Sequence, residues 1–184
     1  MTRDMTEGRP LKLILGFAVP LLFGNLFQQF YNLVDTIIVG KFLGVKSLAA
    51  VGSTGSINFL IIGFCMGICN GFAIPVAQRI GAGEPSKMRR YVANAAYLGA
   101  GIAVVLTAAT GLLCRTILTA MQTPEEIFAD AYSYIFVIFM GIPASILYNL
   151  LAAIMRSLGD SKTPVYFLAL ASILNIGLDF AFIL

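Results

Sequence analysis

Five charge-free apolar stretches, at 13–34, 47–78, 91–114, 131–155 and 163–178, fill most of this 184-residue chain and decide its fold class before any motif is considered. A helix needs about 20 apolar residues to cross the hydrocarbon of a bilayer, where an open chain can satisfy its backbone only as a helix. Each stretch is near or above that length. The sequence therefore predicts an all-α membrane protein with about five transmembrane helices, approximately 13–40, 47–78, 91–114, 126–155 and 163–184, forming a bundle over 13–184 after an N-terminal segment at 1–12. A composition of 59% hydrophobic and 11% charged residues, with a mean hydropathy of +0.89, agrees, because soluble domains are far more polar. The first stretch is longer than a signal-peptide core and lacks a small-residue cleavage pattern, so it is expected to remain as an anchor. The last reaches Leu184 with no polar flank, which reads as a chain cut within a membrane segment.

Charge sorts the connections. Of twelve basic residues, Arg3, Arg9 and Lys12 precede the first span, Arg79, Lys87, Arg89 and Arg90 follow the second, and Arg156 and Lys162 follow the fourth. Only Lys41, Lys46 and Arg115 fall on the other side, where Glu125, Glu126 and Asp130 also lie. The excess of Lys and Arg on one side predicts a cytoplasmic N-terminus in the plasma (inner) membrane. The net charge of +3 is spread over short loops, which argues against nucleic acid as a partner and leaves the lipid bilayer. Turn chemistry at 81–87, 123–126 and 159–164 leaves no room for an extramembrane domain. "GAG" in the first of these lacks the third glycine and the preceding strand of a nucleotide-binding loop.

Only two of nine acidic residues, Asp35 and Asp179, fall within apolar segments. On the first span Gln28, Asn32 and Asp35 are spaced four and three apart, with Asn25 three before Gln28, so one helical stripe is polar. The fifth span repeats the pattern with Ser172, Asn175 and Asp179. Both helices start on the same side, and at 1.5 Å per residue both carboxylates lie in the outer half of the bilayer. Two readings follow: the carboxylates share a water-accessible cavity lined by Gln28, Asn32 and Ser172, or they sit at the outer interface, where charge costs little. In a cavity, desolvation and a second carboxylate favour the protonated form, so the pair could take up H⁺, Na⁺ or a cationic solute in alternation.

Pro20, inside the first span, removes a helical hydrogen bond and favours a bend, either static or changing during a cycle; Pro75 and Pro143 pose the same question. Glycines 63, 67 and 71 form a small-residue ladder, read as a close helix-packing surface. Cys65, Cys69 and Cys114 lie in or at the ends of apolar spans and the chain has no histidine, so buried thiols are expected rather than a metal site. With no histidine and no nucleophile–base pair, the chain does not read as an enzyme.

The runs "AVPLLFGNLFQQFYNLVDTIIVGKFLGVKSLAAVG" (18–52), "GFAIPVAQRIGAG" (71–83), "RSLGDSKTP" (156–164) and "NIGLD" (175–179) together resemble the multidrug and toxic compound extrusion (MATE) family over nearly the whole chain. The resemblance implies most of one six-helix lobe of a twelve-helix transporter, with helix six and the C-terminal lobe missing as a partner. It also implies a secondary antiporter that exports small organic cations in exchange for H⁺ or Na⁺, with no other cofactor. Asp35 then matches the first-helix aspartate of cation coupling, Asn175 and Asp179 its fifth-helix partners, and Pro20 the proline associated with bending of helix one. The alternatives are a lipid-linked oligosaccharide flippase of the related superfamily, disfavoured by the lack of a basic residue central to the spans, and a non-transporting membrane subunit.

Overall fold

The computed structural model describes residues 8–183, the side chains of 179, 180, 182 and 183 excepted. Among them the chain is entirely helical: α1 (Pro10–Ile38), α2 (Gly44–Gly81), α3 (Pro85–Ala120), α4 (Glu125–Met140), α5 (Ile142–Ser157) and α6 (Thr163–Ile183). Proline opens α1 and α3, where a missing N–H costs nothing. A π-helical segment, Val39–Leu43, carries α1 into α2 without a loop. This apolar helical path from Pro10 to Gly81 is 72 residues long, about 108 Å if straight against a hydrocarbon core of about 30 Å. It therefore makes two passes, broken at Gly44, whose φ of +84° is open to glycine and strained for other residues.

The span expected over 126–155 is two helices. α4 and α5 have 16 residues each, about 24 Å, too short to cross alone, and they meet at 45° to form one bent pass. The cause is local. Pro143 brings no N–H to the helical ladder, and the Gly141 N–H turns to both Val137 O and Ile138 O at 3.0 Å. By contrast α1 stays helical through Pro20 and α2 through Pro75.

α2, α3, α4 and α5 share one core, with Cys65 and Cys69 of α2, Cys114 and Leu118 of α3, Phe139 of α4 and Ile142 of α5 almost wholly buried. All three cysteines are free thiols within it. Lipid is as apolar as leucine, so fit between helices rather than exclusion of water holds such a core. The small residues that supply this fit are Ala95, Gly99 and Ala103 on α3, all buried, and a methyl group added to Gly99 would stand 3.3 Å from Leu150. The ladder expected to pack, Gly63, Gly67 and Gly71, meets no partner among the described residues: nothing there lies within 4 Å of a methyl group added to any of the three. Small-residue spacing permits close approach, but the partner decides which ladder is used.

α1 and α6 pair with each other outside this core, through Gly24 of α1 set against Val165 of α6. Contacts fix the directions. Lys46 at the start of α2 lies 3.9 Å from Asp130 near the start of α4, and Ser157 at the end of α5 donates to Ala73 O of α2 at 3.0 Å. Gly111 and Gly99 of α3 face α4 and α5 in reverse order. Passes therefore alternate, and α6 runs parallel to α1. One end of the bundle gathers Arg79, Lys87, Arg156 and Lys162, the grouping that the sequence suggested.

That end is tied by two turns. Glu84 accepts from Arg79 and Lys87, each at 2.7 Å, and these cations hold its carboxyl below the usual carboxylate range. Asp160 closes the turn before α6, accepting from the Thr163 hydroxyl at 2.7 Å and from the backbone N–H groups of Thr163 and Lys162.

Candidate functional site

The candidate site lies along the α1–α6 pair. Gly24 touches Val165; Asp35 is eleven residues farther along α1 and Asn175 ten residues farther along α6. On parallel helices these rises are about 16 Å and 15 Å, so the carboxylate and the amide are level. Eleven residues also turn the helix to within about 20° of its starting direction, so Asp35 lies on the side of α1 that meets α6. The sequence paired the two helices by pattern alone, and the structure packs them together.

Each expected residue has a distinct setting. Asp35 is partly buried and is close enough to Tyr134 of α4 for their charges to interact. Gln28 and Asn32 are exposed, and the Asn32 amide donates weakly to Gln29 Oε1 at 3.4 Å. The Thr36 hydroxyl donates to Asn32 O at 2.8 Å, a bond within the helix that leaves the Asn32 side chain uninvolved. Asn175 is partly buried, and its Oδ1 has no hydrogen-bond partner among the described residues, a costly state for a buried acceptor and one suited to a cation or a donor. Ser172 is buried, and its hydroxyl donates to Leu168 O at 2.9 Å, so it presents no polar surface to a solute in this conformation. The Asp179 side chain lies outside the described residues; its place in α6 is one turn beyond Asn175. Pro20 is partly buried, 15 residues before Asp35 on the same helix.

Tyr134 of α4, within electrostatic reach of Asp35, was not among the candidates that the sequence offered. Its signal was present: a phenol in the apolar run of α4, nine residues from Glu125. A polar pattern along one helix does not reveal a group contributed by a third. Aspartate and amide, level on the paired helices, offer oxygen ligands of the kind that suits a proton or a hard cation.

The comparisons with known proteins agree with this architecture. The MatE family profile matches residues 20–181. The probable multidrug resistance protein YpnP of Bacillus subtilis is 32% identical over 94% of this chain, and YoeA of the same organism, also a probable multidrug resistance protein, is 35% identical over 88%. A solved multidrug resistance MATE family transporter of the MOP superfamily, in an outward-facing conformation, superimposes with a TM-score of 0.89 at 28% identity, covering 97% of this chain. The chain spans only 39% and 35% of the two Bacillus proteins and 40% of the solved transporter. These relatives are transporters and resistance proteins by name, not enzymes. With the profile covering most of its length and its bundle matching one lobe of a solved transporter, this integral membrane chain belongs to the MatE family.

Proposed function

We propose that this chain supplies the N-terminal lobe of a secondary antiporter that exports organic cations in exchange for H⁺ or Na⁺ across the plasma membrane, with its N-terminus in the cytoplasm. The observation that carries this reading is the common level of Asp35 and Asn175 on two parallel, packed helices. An entering ion neutralises Asp35, aided by Asn175 and Asp179, and the cationic substrate loses its counter-charge. Gln28 and Asn32 line the route, and Pro20 lets α1 change its bend. The ion drives the cycle only as far as its affinity differs between the two conformations. The C-terminal lobe supplies the rest of the cavity.

The test is efflux of a fluorescent organic cation from vesicles that contain the full-length transporter, under an imposed proton or sodium gradient. Asp35→Asn is expected to abolish gradient-driven efflux while the protein stays folded. Efflux that survives the substitution would make Asp35 an interfacial bystander.

A further inference from the structure

Arg156, in the last turn of α5, is a half-buried cation whose closest partners are neutral. Its Nη2 donates to Asn70 Oδ1 of α2 at 3.1 Å, and its charge acts on the Tyr148 phenol and the Cys69 thiol. No carboxylate pairs with it among the described residues. The nearest in sequence, Asp160, is committed to Thr163 and Lys162, and Glu84 is held by Arg79 and Lys87. A partly desolvated cation of this kind is stabilised by a counter-ion. Arginine has five donors in a planar fork suited to carboxylate or phosphate, and the Asn70 amide, exposed beside it, adds two.

Position narrows the anion. α2, at 38 residues, is about 57 Å long and exceeds the hydrocarbon core by about 27 Å, so it tilts or projects beyond the lipid, with its basic end at Arg79. Asn70 is nine residues, about 14 Å, before Arg79 on the basic half of α2, and Arg156, hydrogen-bonded to it, lies toward the same end. Ile74, Tyr148 and Leu151 beside them are exposed and apolar. A charged fork with an apolar flank on the basic side of the bundle fits an amphiphile with a phosphate head. We infer that Arg156 and Asn70 form a phosphate-binding site on the α2–α5 seam. It is separate from the α1–α6 site and stands whether or not that site couples ions.

The test uses the full-length protein in an uncharged detergent, with the thermal unfolding midpoint followed as dihexanoyl phosphatidic acid or inorganic phosphate is titrated at constant ionic strength. The wild type is expected to be stabilised. In Asn70→Asp the new carboxylate occupies the arginine, and the half-saturating concentration is expected to rise about tenfold or more. Arg90→Gln makes the same change in net charge away from the site and is expected to respond as the wild type does. A response to the lipid at far lower concentration than to inorganic phosphate identifies a lipid headgroup as the source; equal responses identify a water-soluble phosphate. No response in the wild type, as when a carboxylate elsewhere in the protein already fills the site, overturns the inference. An equal loss in Asn70→Asp and Arg90→Gln also overturns it, because only diffuse surface charge would then be at work.

Discussion

Single side chains set two sharp expectations. Tyr134 is near Asp35 but belongs to a different helix and has no part in the buried core cluster. Removing its hydroxyl in Tyr134→Phe should slow gradient-driven efflux while changing stability by less than about 1 kcal/mol; unaltered efflux would place the phenol outside the coupling site. Asp160 belongs to the turn before α6. Hydrogen bonds from the Thr163 hydroxyl, then from backbone N–H groups, pull its carboxyl from 3.8 down to about 2. A carboxylate depressed in the folded state contributes stability above its unfolded value, and that contribution fades as the pH falls from about 4 toward 2. Asp160→Asn keeps an acceptor but removes the titration, so the unfolding midpoint of the variant should fall less steeply across that window. At neutral pH its cost should stay under about 1 kcal/mol, because water screens so exposed a group. Equal acid limbs in the two proteins would mean that Asp160 contributes no linkage. Among candidate residues, Asp35 and Asn175 were singled out by the sequence because polar groups in apolar helices are conspicuous. Tyr134 was not, since a phenol is common in membrane helices and only tertiary contact distinguishes this one.

Helices obey the same division between pattern and partner. All five passes could be counted from the apolar stretches, but the break at Gly141 could not be placed, because proline in a membrane helix is compatible with a bend or with a continuous path. Pro20 and Pro75 are passed without interruption and Pro143 is not; Pro143 follows Gly141, whose backbone already closes a tight turn. The two small-residue ladders make a paired prediction. Gly99→Val would press two methyl groups on Leu150 and Ile146 and should destabilise by about 1–3 kcal/mol. Gly67→Ala enters open space within this chain and should be neutral or stabilise by up to about 1 kcal/mol. Thermal unfolding of the two variants decides the matter, and a large loss from Gly67→Ala would reveal that another segment packs on that ladder.

The described residues divide into a four-helix core and a two-helix pair, with Asp35 and Asn175 on the pair, Tyr134 on a core helix, and the cysteines and largest buried side chains in the core. Membership of the MatE family was legible because its motifs occur in order along the chain. The division between core and pair was not, since it depends on which apolar faces meet. It also gives the π-helical segment a meaning. A π turn holds one residue more than an α turn, and this one lies between Asp35 and Gly44, where the path breaks. Losing one codon from 39–43 would let the turn close as an ordinary α-helix and rotate all of α1 by about 100° relative to the core. The reading frame would survive, the spans would still insert, and far-ultraviolet dichroism should be unchanged, yet Asp35 would face away from α6 and gradient-driven efflux should be lost. At this junction the spacing of the gene, as much as the identity of any residue in it, sets the direction of the carboxylate.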